Sequence, residues 1–328
     1  MSDRPVVAVL DVMPEASRAV ISQVFGSDFD VVFADGDRPE DKQALAAGAT
    51  ALLTMWGAVD ADTIAAAGSC RVIQKLGIGT DKIDDAAARA RGIAVLKAAG
   101  INAEAVAELA VLLALAVGRQ LPRATAAARE GLAVKEELRA VSFQLMGRTV
   151  GLVGFGHIGR AAASRFRAFG AEIVYFDPYR PDAGVEAALG ARYLELVELL
   201  ATADVVSLHV PAADRPVLDA RTLGLLKAGA IVVNTARGSL IDEPALVEAV
   251  RSGRLLGAGL DVTTVEPLPT DSPLRDLEQV VLTPHVGGAV ANNFPRVIQR
   301  AFDNVQAVLD GRAVAPADVV VPAPEPVR

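Results

Sequence analysis

The sequence predicts an α/β protein made of two doubly wound parallel-sheet domains with a cleft between them. Three observations carry that prediction. Short β-branched runs alternate with alanine-rich runs of helical period along the 328 residues, the pattern of strands joined by crossover helices. Hydrophobic residues make up 52% of the chain and aromatics only 4%, so the apolar surplus is aliphatic, as helices covering both faces of a parallel sheet require. The strand-like runs also fall into two series separated by a long helical stretch, which at this length argues for two cores.

In the first series, strands are expected at 6–10, 30–33, 51–54, 72–75 and 94–96, with helices such as 15–25 and 82–91 between them. Residues 1–5 read as a polar lead into the first strand and not as a signal peptide. Gly100-Ile-Asn102 introduces a helix over 103–117, with Asn102 as its expected N-cap. That helix is apolar nearly all round, so it is expected to be buried in a core or against a second subunit. Its most apolar part, 109–118, is too short to span a bilayer. The second series starts at Thr149 and continues with strands at 173–176, 205–208, 231–234, 259–262 and 280–282, ending at Gly287-Gly288. A helix over 296–309 comes next, with no strand expected after it. The proline-rich stretch 316–328 is expected to fray, and no further regulatory domain is expected beyond Gly311.

Composition narrows the function classes. With 32 basic and 40 acidic residues the net charge is −8, and no basic cluster offers a phosphate track, so no nucleic-acid partner is expected. No membrane association is expected either. The single cysteine, Cys70, leaves no internal disulfide and no cysteine metal cluster, no metal site is expected, and a reducing cytoplasm fits.

The most informative run is Thr149-Val-Gly-Leu-Val-Gly154-Phe-Gly156-His-Ile-Gly159, with Asp177 closing the next strand 18 residues beyond Gly159. This is the G-x-G-x-x-G spacing of a Rossmann-like dinucleotide fold. Gly154 permits the tight turn, Gly156 lets backbone amides approach a pyrophosphate, and Gly159 lets the helix pack close to the strand. His157 and Ile158 complete the loop, and the pyrophosphate sits at a helix N-terminus. Asp177 is placed to accept hydrogen bonds from the adenosine ribose hydroxyls. It selects NAD over the 2′-phosphorylated cofactor, with Arg180 the one nearby feature that softens the preference. The dinucleotide-binding domain is expected over 100–289. The final helix then returns to a discontinuous substrate domain, 1–99 plus 290–328, and substrate is expected in the cleft between the two.

The chain has three histidines. His157 lies in the glycine run, where a solvent-facing side chain is expected. His209, followed by Val210-Pro211, sits at a strand end and packs against the cofactor. His285 also follows a strand end, with glycines beyond it. Asn234-Thr235-Ala236-Arg237 puts a cation past another strand end, and Asp261 and Glu266 follow the next. An arginine, an acid and a histidine on one rim suit the reduction of a 2-oxo acid. The arginine grips the carboxylate, the protonated imidazole supplies the alcohol proton, and the acid orients the ring.

These motifs resemble the D-isomer-specific 2-hydroxyacid dehydrogenases nearly end to end. The resemblance runs through Lys75-Leu-Gly-Ile-Gly79-Thr-Asp81-Lys-Ile-Asp84, Asn102-Ala-Glu-Ala-Val-Ala-Glu108, the glycine run, Leu208-His-Val-Pro211, Asn234-Thr-Ala-Arg-Gly238, Gly259-Leu-Asp261, Glu266-Pro267 and Pro284-His285. It implies catalytic roles for Arg237, Glu266 and His285, a place for Asp261 beside the nicotinamide carboxamide, and amide contacts from Ile78 and Gly79 to the substrate carboxylate. It favours a homodimer built around the cofactor domain. Met55 and Trp56 stand where phosphoglycerate-type members are basic or small and polar. With Leu76 they are expected to offer apolar surface and no fixed positive charge, favouring an unphosphorylated acid of glyoxylate or hydroxypyruvate type. A formate- or phosphite-oxidising dehydrogenase on the same scaffold, and a non-enzymatic NAD-sensing corepressor, are the alternative readings.

Overall fold

The computed structural model describes residues 4–324, which divide into two units: the chain through Asn102 together with the segment from Val290 onward, and Ala103–Ala289. In the first unit β1 (Val6–Val9), α1 (Glu15–Phe25), β2 (Asp30–Phe33), α2 (Pro39–Ala47), β3 (Ala51–Thr54), α3 (Ala61–Ala66), β4 (Val72–Lys75), α4 (Asp85–Ala90) and β5 (Ala94–Leu96) alternate along the chain. Successive side chains on a strand point to opposite faces. Val7 and Val9 on β1, Leu53 on β3 and Val72 on β4 accordingly pack in one apolar layer with α1, while Ala8, Leu52 and Ile73 pack in the other with α2 to α4.

The second unit opens with α5 (Ala103–Gly118), α6 (Leu121–Glu130) and α7 (Lys135–Val141). It continues as β6 (Thr149–Val153), α8 (His157–Ala168), β7 (Glu172–Phe176), α9 (Ala183–Leu189), β8 (Ala191–Tyr193), α10 (Leu196–Thr202), β9 (Val205–Leu208), α11 (Ala220–Leu223), β10 (Ala230–Asn234), α12 (Glu243–Arg251), β11 (Leu255–Leu260) and β12 (Val280–Leu282). These seven strands form one parallel sheet ordered β12-β11-β10-β9-β6-β7-β8. The order reverses between β6 and β9, the switch point at which open α/β sheets bind ligands along their carboxyl ends. α5 lies against this sheet's core with Ala107, Ala110, Leu113, Ala114 and Val117 buried. A Cβ on Gly259 would come within 2.6 Å of Leu113 Cβ, so the helix packs hard on β11. Among the described residues no single helix is long and apolar enough to cross a membrane.

The chain then returns to the first unit as α13 (Phe294–Leu309), whose Ile298, Ala301 and Val305 join the layer of α1. Two expectations fail here. Part of the stretch expected to fray, Val319–Val321, forms β13, which pairs antiparallel with β5 and completes the sheet β13-β5-β4-β3-β1-β2. Residues 325–328 of that stretch lie outside the described residues. The prolines that suggest a loose tail flank the strand and leave its interior free, as an edge strand allows. Asp318, wholly buried, anchors it by accepting from Arg300 Nε at 2.6 Å, Asn304 Nδ2 at 3.0 Å and the Ala99 amide at 2.9 Å. The second failure is Asn102, whose Oδ1 is buried without a hydrogen-bond partner and so does not cap α5.

Candidate active site

Every candidate residue of the second unit lies past the carboxyl end of one strand of its sheet. The order along that rim follows the strand order: Asp177 after β7, the glycine loop after β6, His209 after β9, Arg237 after β10, Asp261 and Glu266 after β11, and His285 after β12. At about 4.8 Å per strand, the four steps from β7 to β11 span roughly 19 Å.

The glycine loop is tight where it meets protein and open where it does not. Gly154 has φ +100°, which L side chains rarely adopt, and a Cβ there would lie 2.5 Å from the His209 carbonyl oxygen. A Cβ on Gly159 would lie 2.1 Å from the Gly154 carbonyl oxygen. Gly156, the N-cap of α8, faces open space, with nothing within 4 Å of where its Cβ would be. His157 beside it is exposed and Ile158 half-buried. Asp177 stands over the loop: its Oδ2 accepts from the Phe155 amide at 2.7 Å and its Oδ1 from the Tyr179 amide at 2.8 Å.

Past β9, the His209 Nε2 pairs with Ser207 Oγ at 3.0 Å, while its Nδ1 is buried with no partner. Burial pushes this imidazole down to about 4, so it is neutral near pH 7. Val210 and Pro211 follow at the surface end of the turn. Past β10, buried Asn234 clips its own turn, taking the Ala236 amide on Oδ1 at 3.0 Å and donating from Nδ2 to the Arg237 carbonyl at 2.8 Å. The clip presents Arg237, half-buried, whose Nη1 donates to the Ala236 carbonyl at 2.7 Å. Thr235 Oγ1 is buried without a partner.

The acid and the histidine meet directly. His285 Nδ1 lies 2.8 Å from Glu266 Oε2, and the other carboxylate oxygen accepts from the Thr263 amide at 3.2 Å. Because a carboxylate accepts, Nδ1 carries the proton in this pair, and Nε2 is the nitrogen left for chemistry. The imidazole is about half exposed, so a small molecule can reach it.

Comparison with known proteins decides the family. Residues 111–287, more than half of the chain, match the family described as "D-isomer specific 2-hydroxyacid dehydrogenase, NAD binding domain". The chain belongs to that family. It is 38% identical over 318 residues to a D-3-phosphoglycerate dehydrogenase of Mycobacterium leprae, covering 96% of this chain and 59% of that protein. It is 43% identical over 244 residues to a hydroxypyruvate reductase of Thermotoga maritima, covering 73% of this chain and 78% of that protein. Among solved structures, the TT0316 protein of Thermus thermophilus superposes with a TM-score of 0.85 at 38% identity, over 96% of this chain and 100% of that one. The chain thus spans 59% of the length of the mycobacterial relative named first.

The residues present fit the family's NAD. The loop leaves open space at Gly156 and closes at Gly154 and Gly159, and two buried polar atoms, His209 Nδ1 and Thr235 Oγ1, lack partners on the rim where the nicotinamide half would lie. Asp261 is the least expected feature of this rim. It is 2% exposed, and its carboxylate takes the Thr283 hydroxyl at 2.6 Å and the amides of Val286 and Gly287, each at 2.8 Å. One lone pair on Oδ2 remains for a carboxamide, but the residue's visible work is to pin the loop that carries His285. Nothing in the sequence pattern announces this, because the partners are backbone amides more than twenty residues away.

In the first unit, Ile78 and Gly79 lie half-buried in the loop after β4. Asp11, wholly buried after β1, gathers the loop after β3, accepting from the amides of Met55, Trp56 and Gly57 at 2.5, 3.3 and 2.6 Å. Trp56 is 46% exposed, whereas Leu76 is 5% exposed and sits in the core layer, so it offers packing and not ligand surface. The expectation of no fixed positive charge near Met55 and Trp56 also fails. Lys75 Nζ donates to the Met55 carbonyl, and Lys82 Nζ to the Trp56 carbonyl at 3.3 Å. These lysines, 20 and 26 residues further along the chain, fold back onto the loop, which a reading of the loop alone misses.

Proposed function

We propose that this protein is an NAD-dependent dehydrogenase interconverting a small, unphosphorylated 2-hydroxy acid and its 2-oxo acid. The observation that carries the reading is the Glu266–His285 pair, 2.8 Å apart on the same rim as Arg237 and the dinucleotide loop. When bound, NAD supplies the hydride acceptor, or NADH the donor, at the substrate carbon. Arg237 holds the substrate carboxylate through a charge-assisted fork and polarises the carbonyl. His285 Nε2 gives its proton to the carbonyl oxygen during reduction and takes it from the hydroxyl during oxidation. Glu266 orients the ring and balances its charge. Asp177 holds the ribose hydroxyls, Gly154 to Gly159 the pyrophosphate, and His209 to Pro211, Thr235, Ala236 and Asp261 line the nicotinamide half. Amides of Ile78 and Gly79 are assigned to the carboxylate, and Met55 and Trp56 to the substrate tail.

Support for an unphosphorylated tail comes from the loop after β3. Its large exposed apolar side chain is Trp56, and the two lysines that reach the loop donate to backbone carbonyls. An ammonium group has three donors, so these lysines bring positive charge to the loop without excluding a phosphate arm, and the unphosphorylated assignment rests on the apolar surface of Trp56. Among the relatives, the hydroxypyruvate reductase fits this class, whereas the D-3-phosphoglycerate dehydrogenase fits the phosphorylated one. The decisive assay competes hydroxypyruvate against 3-phosphohydroxypyruvate with NADH. A higher kcat/KM for the unphosphorylated acid is expected, and the reverse order overturns the substrate assignment while leaving the dehydrogenase reading intact.

The protein is further read as a cytoplasmic homodimer. Leu112, Leu121, Leu132 and Val141 on and between α5, α6 and α7 are 40–56% exposed and suit a two-fold contact of the cofactor unit. The lone cysteine, free and buried, suits a reducing compartment.

A further inference from the structure

Two side chains near the end of β7 argue for opposite cofactors. Asp177 disfavours a 2′-phosphate by charge, whereas an arginine nearby, here Arg180, is what accommodates one. The surroundings of Arg180 resolve the conflict. Its Nε donates to Glu186 Oε1 at 2.7 Å and its Nη2 to Oε2 at 3.0 Å, a two-pronged fork onto α9. The guanidinium also lies over the ring of Tyr193 on β8, 5.0 Å from its centroid. Glu186 is itself anchored: its side chain is only 14% exposed and accepts a further hydrogen bond from the Tyr175 hydroxyl. Tyr175 is buried in β7 and stacks on Phe155 of the glycine loop at 3.9 Å, and the Phe155 amide is one of the donors to Asp177.

We propose that Glu186 is a positioning residue for cofactor choice, holding Arg180 on α9 so that a 2′-phosphate finds the charge of Asp177 without a compensating cation. The holding group stays ionised. The hydrogen bonds from Arg180, then Tyr175, pull the Glu186 carboxyl down to about 2, so the fork persists across the pH range of any ordinary assay. The inference rests on the placing of the adenosine ribose at Asp177 proposed above.

The test is a double-mutant cycle on cofactor preference. Glu186→Gln keeps the shape and removes the charge. It should lower the KM for NADPH about tenfold, with kcat and the NADH parameters little changed. Arg180→Ala alone should change either cofactor less than about twofold, because the side chain is already withdrawn. Adding Arg180→Ala to Glu186→Gln should erase the gain. Tyr175→Phe, which removes one anchor and keeps the ring, should shift preference in the same direction by a smaller factor. A merely structural ion pair predicts equal losses with both cofactors. That outcome, an unchanged NADPH KM in Glu186→Gln and Tyr175→Phe, or a gain that survives loss of Arg180, overturns the proposal. Asp177→Ala separates the two layers. If it leaves the NADH to NADPH ratio unchanged, the ribose placement falls and the lock with it. If it narrows the ratio while Glu186→Gln does not, only the lock falls.

Discussion

Asp261 holds His285 in place from behind: its carbonyl accepts the His285 amide at 2.7 Å while its carboxylate takes the next two amides and the Thr283 hydroxyl. His285 needs this support, because its φ of +54° lies in the left-handed region that β-carbon-bearing residues seldom occupy. Four hydrogen bonds to one buried residue over-determine the loop, and the strained backbone aims the ring at Glu266.

Asp261→Asn should therefore damage stability and turnover together. An amide can replace only part of the acceptor set, and its NH₂ would face backbone donors. A loss of about 2 kcal/mol or more is expected from thermal or urea unfolding without cofactor, with kcat lowered about 10- to 100-fold as the imidazole loses its aim. Unchanged unfolding of the variant would show that the carboxylate does not pin the loop.

His285→Ala should cut turnover by roughly two to four orders of magnitude while sparing cofactor affinity. Glu266→Gln removes the carboxylate that holds the ring and should lower kcat about 10- to 100-fold. Steady-state kinetics of the two variants check this, and a Glu266→Gln variant that turns over at the parent rate would count against the pairing.

His209 predicts an acid limb in stability. Its folded-state value is pushed down to about 4 by burial, below the ordinary 6.5. The unfolded chain therefore takes up the proton first. The contribution is fully present above about pH 6.5 and is lost as pH falls toward 4, at up to about 1.4 kcal/mol per pH unit. Unfolding of the apoprotein at pH 7, 6 and 5 should show the decline, and His209→Gln should flatten it.

The exposed leucines of α5 to α7 predict a dimer. Light scattering at micromolar concentration should return twice the 34.0 kDa of one chain, and Leu112→Glu with Leu121→Glu should return one. A monomeric parent protein would remove the dimer from the proposal.

Local regularity decided how much of this was legible in advance. Ile73 and Leu52 alternate with Val72 and Leu53 because a strand buried on both faces needs apolar residues at every position, so these strands read directly from the chain. The glycine loop was legible for a similar reason: Gly154 and Gly159 sit where a Cβ would collide with backbone, and that prohibition is written as residue type. β13 was hidden because three valines between prolines have no period to display, and their pairing with β5 exists only once α13 has carried the chain back.

The sequence alone determined two α/β series, the place of the glycine loop and the residue types gathered on the rim, since periodicity and glycine sterics are local properties. Only the tertiary structure decided which groups those residues serve. Asp261 became the clamp behind His285, Leu76 went to the core, Lys75 and Lys82 came back onto the Met55–Trp56 loop, and Arg180 was drawn to Glu186. Each of these is a competition for hydrogen bonds or burial among residues distant in the chain, and such a competition has no outcome until the chain has folded.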